Sequence, residues 1–297
     1  MTTSAEHSRL LRLATRASLT LAVGLIIAKS VAWWISGSVS LLAGLTDSLL
    51  DGAASFLNLL AVHYALRPAD DDHRYGHGKA EALSGMAQAL FIAVSGVLIA
   101  FQAVERIRNP ETLGTPLVGM VVMVVSIVLT LALLKLQHKV VKETGSAAIR
   151  ADSLHYRSDL LLNASILLAL SLAYYGWQQL DAYFGLAIAG YIFWSAVRIA
   201  RETVSVLMDE ELPPDVSTRM LELACNVPGV LGAHDLRTRI SGNRWFVQLN
   251  LELPGSLTLS AAHALCDQVE DAIHQRYPKA EVLVHADPHE EPAQSRA

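Results

Sequence analysis

The sequence predicts a membrane-embedded, all-α bundle of six transmembrane helices followed by a small C-terminal α+β domain. Three observations carry that reading. The 297 residues are 52% hydrophobic and only 17% charged, where an ordinary soluble domain carries about 25% charge. The apolar stretches are long and confined to the first two thirds of the chain, and after Arg201 the composition turns abruptly soluble. A formal charge of −5 offers no basic surplus for nucleic acid. Cys225 and Cys266 lie far apart and form no C-x-x-C pair, which argues against a disulfide scaffold and a structural zinc finger.

Spanning helices are expected at 13–35, 40–66, 83–104, 115–136, 152–175 and 181–203. Each is long enough to cross roughly 30 Å of hydrocarbon at about 1.5 Å per residue. The stretch 116–134 holds no charge, whereas the second and fifth spans carry carboxylates at membrane depth. Arg9, Arg12 and Arg16 precede the first span without a small-residue cleavage site, so it reads as a span and not as a cleavable signal. Six spans place both termini on one side. That side collects Arg9, Arg12, Arg16, Arg67, Arg74, Lys79, Lys135, Lys139, Lys142, Arg150, Arg198 and Arg201, and the opposite loops only Arg106 and Arg108. The positive-inside rule therefore puts both termini in the cytoplasm of a multi-pass protein of the cell inner membrane. Trp33, Trp34, Tyr174, Tyr175 and Trp177 gather at the outer span ends as interfacial anchors do.

In the soluble part, Pro213-Pro214 opens an amphipathic helix to about Asn226. Alternating runs at 230–240 and 244–253 flank the turn Ser241-Gly242-Asn243 and read as a hairpin. A second helix over 259–277 and a short strand over 281–285 complete an α-β-β-α-β order, which suits helices on one face of a sheet. The tail from Pro288 is polar and expected to fray. The domains divide as 1–208, 209–290 and a tail 291–297.

Chemistry concentrates in the charged spans. Span two reads TDSLLDG, with Asp47 and Asp51 at i and i+4, and span five reads HYRSD, with His155 and Asp159 at the same spacing. On a helix each pair shares one face, one turn apart. On facing helices the pairs would give three carboxylates and one imidazole, a ligand set for tetrahedral Zn²⁺ or a similar divalent ion. Asn58 and Asn163 continue the two polar stripes. The plainer alternative is that these groups sit at helix ends or pair with Arg157 or Lys29. Against it, each charge at the centre of a span costs at least ~2.5–3.5 kcal/mol on insertion scales.

Metal ligands must be deprotonated, so metal and protons compete for such a site. A site loaded by either, and opening alternately to each side, is an antiporter. Between spans two and three, PADDDHRYGHGKAEA sets Asp70, His73 and His77 at three- and four-residue spacing, the pattern of a second metal site or of a solvated acidic loop with incidental histidines. In the soluble domain His234, His263, His285 and Asp287 fall on or beside three elements, which fits metal binding or ordinary surface chemistry. His63 and His138 have no partner at ligand spacing and receive no role.

Taken together, TDSLLDG, PADDDHRYGHGKAEA and HYRSD resemble the cation diffusion facilitator family, from span one to His285. The resemblance implies a homodimer of six-helix subunits with a metallochaperone-like cytoplasmic domain, exchanging Zn²⁺ or Cd²⁺, with Fe²⁺ a further candidate, for protons across the bilayer. It implies a transport site at Asp47, Asp51, His155 and Asp159, a loop site at Asp70, His73 and His77, and a cytoplasmic Zn²⁺ site at His234, His263, His285 and Asp287 at the dimer interface. Lys79 and Asp209 match an intersubunit salt bridge. One departure is Asn250, where the resemblance leads one to expect a histidine; a neutral amide is a weak ligand, and the cytoplasmic site is expected to be incomplete or to hold one ion. Aspartate at 47 suggests broad metal choice, and His155 argues against a hard, all-oxygen site for Mn²⁺. The chain is not expected to be an enzyme: an intramembrane zinc protease would need an HExxH motif and an open coordination position. A metal-sensing channel or uniporter without proton coupling is the other alternative.

Overall fold

The computed structural model describes residues 4–36, 39–108, 117–173 and 180–289. The chain divides into two compact units, Met1–Val204 and Ser205–Ala297. Unit one holds six long helices: α1 (Ser4–Ser36), α2 (Val39–Ala65), α3 (Lys79–Arg108), α4 (Leu117–Thr144), α5 (Ala147–Ala173) and α6 (Leu180–Leu207). Among the described residues, four stretches are long and apolar enough to cross a membrane: Glu6–Ile35, Lys79–Glu105, Val121–Thr144 and Tyr183–Leu207. The expected spans two and five, on α2 and α5, are not among them. The reason is visible in α5, whose first half carries Arg150, Asp152, His155, Arg157 and Asp159. Tyr174, Tyr175 and Trp177 lie outside the described residues.

Burial in this unit is inverted relative to a soluble protein. Trp34, Phe101 and Leu90 face outward, while Asp152, His155, Gln137 and Glu81 are buried. Apolar exteriors and polar interiors are what a bilayer selects, since charge is tolerated there only inside the bundle. The chain is a multi-pass membrane protein. One apolar cluster joins α1, α2, α4 and α5 through Leu11, Val62, Val140 and Ile149. Another joins α3, α5 and α6 through Ile92, Ala151, Ile192 and Ile199. At Gly96 a Cβ would meet Ile192 Cγ2 at 3.1 Å and the Phe193 nitrogen at 3.4 Å, so glycine allows α3 and α6 to approach closely, as small residues do in membranes.

Unit two follows the expected order: α7 (Pro214–Cys225), β1 (Gly232–Ser241), β2 (Arg244–Pro254), α8 (Leu259–Arg276) and β3 (Ala280–His289). Pro214 occupies the first turn of α7, where a missing N–H costs nothing. Thr258 caps α8 by accepting from the Ala261 N–H. β2 is central, antiparallel to β1 and parallel to β3. Its alternation buries Val247, Leu249, Leu251 and Leu253 with Met220, Val269 and Ile273 of the helices, leaving Gln248, Asn250 and Glu252 on the opposite face. β3 runs four residues past the expected end at 285, correcting the frayed tail at its first two positions. β2 is long enough to pair Leu253 with Pro288 and Pro254 with His289, and an edge strand tolerates the missing N–H of Pro288.

Candidate metal centre

Asp51 of α2 meets His155 and Asp159 of α5. His155 Nε2 lies 2.9 Å from Asp51 Oδ1 and 3.8 Å from Asp159 Oδ2, and the three ligand atoms all fall within 4.8 Å of one another. His155 is buried, and its Nε2 makes no aligned hydrogen bond despite the short approach. An imidazole nitrogen and two carboxylate oxygens that converge in this way suit a shared cation. Ligands about 2.0–2.1 Å from a tetrahedral Zn²⁺ stand roughly 3.3–3.4 Å apart, between the two separations seen. The donor set therefore fits a divalent metal. Asp47 lies on α2 one turn before Asp51, but its side chain is outside the described residues. The site opens on a cavity of about 50 Å³ lined by Lys29, Ser48, Asp51, Tyr156, Asp159 and Asn163. Asn163 thus extends the polar stripe as expected. Asn58 instead accepts from Ser84 of α3, Lys29 donates to Ser48 at 2.6 Å, and Arg157 is exposed.

Behind the ligands lies a buried network that the sequence reading missed. Asp152 Oδ2 accepts from Ser18 of α1 at 2.5 Å and from Gln137 of α4 at 2.7 Å. Tyr156 donates to the Ser18 carbonyl and its hydroxyl bonds that of Ser55 on α2. These contacts fix the ring next to His155 and the turn beneath it, as outer-shell partners orient metal ligands. A signal was available: Asp152, His155 and Asp159 fall at i, i+3 and i+7, one continuous helical face.

The connection from α2 to α3 gathers Asp70, His73 and His77 into a second cluster within 4.8 Å. Asp70 Oδ1 stands 3.1 Å from His73 Nδ1 and Oδ2 stands 3.3 Å from His77 Nε2. The His73 backbone N–H, 2.7 Å from Oδ1, is the main cause that holds the Asp70 carboxyl below its usual range; burial opposes it and the two imidazoles add to it. His77 is buried with the Tyr64 ring edge-on to it at 4.5 Å.

In unit two the β1–β2–β3 register lays His234, Asn250 and His285 in one cross-strand row. His234 Nε2 is 3.7 Å from Asp287 Oδ2, and His285 Nε2 is 3.2 Å from Asp287 Oδ1. His263 stands apart on α8, exposed and 3.8 Å from Asp267. The helices cover the apolar sheet face and the histidine row occupies the other, so the chain's own fold does not bring His263 to it. Glu252 and His289, unnoticed in the sequence, lie beside the row: Glu252 contacts His234 at 3.7 Å and His289 at 3.4 Å. Asp209 sits at φ 58° with Oδ2 3.6 Å from Arg239, and Lys79 opens α3.

A helical bundle with an apolar exterior that encloses two carboxylates and an imidazole, followed by a sheet domain bearing more of both, defines a membrane transporter of cations. The chain belongs to the cation efflux family. Residues 15–208 match the cation efflux transmembrane domain and residues 212–289 the cytoplasmic domain of cation efflux proteins. It is 48% identical over 283 residues to the cation-efflux pump FieF of Serratia proteamaculans, covering 95% of this chain and 94% of that protein. It is 46% identical to the cation-efflux pump FieF of Escherichia fergusonii over the same shares. A solved structure described as MamM-CTD is 29% identical, covers 25% of this chain and 96% of that one, and superposes with a TM-score of 0.25.

Proposed function

We propose that the protein is a proton-coupled antiporter that exports divalent metal cations, Zn²⁺ and Cd²⁺ with Fe²⁺ as a further substrate, through alternating access at Asp47, Asp51, His155 and Asp159. The observation that carries the reading is the convergence of Asp51, His155 and Asp159 between α2 and α5. The loop cluster Asp70–His73–His77 serves as a second cation site on the cytoplasmic surface. The domain 209–290 takes metal at His234, His285 and Asp287, with His263 supplied across a homodimer interface and Lys79–Asp209 as an intersubunit pair. The bundle 1–208 crosses the inner membrane six times with both termini cytoplasmic: α2 and α5 are 27 residues long, enough to span, and Asp152 and His155 of α5 are buried.

Cytosolic metal binds the deprotonated ligands, the bundle turns outward, and protons displace the metal and return inward. Coupling answers an energetic need: moving a divalent cation outward against 100 mV costs roughly 4.6 kcal/mol, at ~2.3 per charge. The test loads reconstituted vesicles with a pH dye and adds Zn²⁺, Cd²⁺, Fe²⁺ or Mn²⁺. Metal-driven proton movement that vanishes in Asp159→Ala is the expected result. Metal entry without proton movement would make the protein a channel or uniporter, and no flux of either kind would make it a sensor.

A further inference from the structure

We infer that Glu252 is a metal ligand of the cytoplasmic sheet, taking the place left by the amide at Asn250, with His289 holding it in position. The inference rests on the reading above that this domain binds metal. Its geometry is local to three strands. His234 Nε2 has two carboxylate oxygens at 3.7 Å, Glu252 Oε1 and Asp287 Oδ2, one imidazole and two anions converging from β1, β2 and β3. Both separations from His234 are slightly longer than the roughly 3.3–3.4 Å edge of a tetrahedral site, and a bound ion would draw the two carboxylates together around it. Glu252 spends its other oxygen on a further histidine, Oε2 lying 3.4 Å from His289 Nδ1, while Asp287 Oδ1 reaches the ligand His285, whose Nε2 lies 3.2 Å away. A ligating carboxylate oriented by an imidazole is the arrangement that outer-shell partners supply in metal sites.

Two features of the backbone make room for it. Gly232 is the register partner of Glu252 on β1, and a Cβ there would stand 3.2 Å from Glu252 Oε2 and 3.3 Å from its Cδ. The bare glycine gives the carboxylate the space to lean over β1 towards His234. The register of β1 then slips between His234 and Arg237, with Asp235 at φ 50°. A bulge of this kind re-aims the neighbouring side chain and turns His234 to Glu252 and Asp287. Asn250, directly between His234 and His285 in the row, lies on the same face but brings no charge. With Glu252 the site carries two formal negative charges against a divalent ion. A carboxylate in place of an imidazole also hardens it, moving preference from Zn²⁺ towards Mn²⁺ and Fe²⁺.

The test uses the full-length protein in detergent, in an Asp159→Ala, Asp70→Ala background that silences the other two clusters. Co²⁺ binding is read from its visible absorption, and Zn²⁺ and Mn²⁺ affinities by competition. Glu252→Gln should weaken Zn²⁺ at least ten-fold and Mn²⁺ more, and His289→Gln should weaken both by a smaller factor. Glu252→Gln combined with Asn250→His should restore Zn²⁺ but not Mn²⁺. Glu252 is 40% exposed on its side chain and His289 48%, so these variants leave the core intact. Unchanged affinity in Glu252→Gln, where Asp287→Asn abolishes binding, would overturn the assignment of Glu252 and leave the domain's metal binding standing. Failure of the background protein itself to bind Co²⁺ would overturn both.

Discussion

Removing the Asp152 carboxylate should loosen the bundle without touching a ligand. Asp152 is 1% exposed and accepts from Ser18 and Gln137 on two other helices. Interhelical hydrogen bonds in membranes average about 0.6 kcal/mol and reach about 1.7, so two of them give roughly 1–3 kcal/mol for Asp152→Ala. At about 2–4 °C per kcal/mol for a unit of this size, the midpoint should fall on the order of 5 °C. The assay is thermal unfolding in detergent followed by size exclusion, with and without Zn²⁺. A Ser18→Ala, Asp152→Ala cycle should show coupling of about 0.6–1.7 kcal/mol. An apolar triple variant, Ser18→Ala with Gln137→Leu and Asp152→Leu, should recover much of the loss, because no donor is then left unpaired. Additive single effects, or a triple variant worse than Asp152→Ala, would refute the network as the source.

Three further outcomes follow. Asp51→Ala and Asp159→Ala should each abolish metal flux in vesicles while the purified protein keeps its elution volume, and Asp70→Ala and His285→Ala should lower flux only in part; equal losses at all four would contradict the division of labour. Maleimide should label exposed Cys225 quickly and Cys266 slowly, since burial first and the Glu270 and Asp267 charges next push the Cys266 thiol up; comparing Cys225→Ser with Cys266→Ser at pH 8 reads this directly. Burial, then the Asp267 charge, also raises the Glu270 carboxyl. The folded state thus binds that proton more tightly than the unfolded chain, a contribution present below the ordinary carboxylate range and lost as pH rises through the raised one. Glu270→Gln should melt slightly higher than the parent at pH 7, with the gap closing as pH falls below that range.

What the sequence shows and hides has a physical pattern. The pairs Asp47 with Asp51 in α2, and His155 with Asp159 in α5, were legible because helical period alone puts four-residue neighbours on one face. The sheet domain was legible in order and turn, with Gly242 at φ 58° between β1 and β2. Glu252 and His289 were hidden because their meeting depends on cross-strand register, which a one-residue slip reverses, and on a bulge at Asp235 that no local pattern announces. Asp152 was hidden for another reason: its partners Ser18 and Gln137 are 134 and 15 residues away. A buried aspartate read alone cannot be told from a ligand.

The proposed exchange has an energetic root in how α5 is held. Asp152 ties one end of its polar face to α1 and α4, so Asp159, two turns on, sits on a helix whose position is already fixed. Asp51 comes from α2, which meets α5 through the ligand atoms, the Ser55–Tyr156 hydrogen bond and the packing of Val62 with Ile149. Two ionised carboxylates within 4.8 Å of each other repel by roughly 3 kcal/mol at an effective dielectric near 20, and Asp152 is buried in the same interior. The empty, fully ionised site is therefore the expensive state. In the proposed exchange a divalent ion or a set of protons relieves it. On the proposed reading, a carrier that crosses between its two faces only when relieved in this way cannot return empty, and metal leaving in one direction would oblige protons to travel in the other.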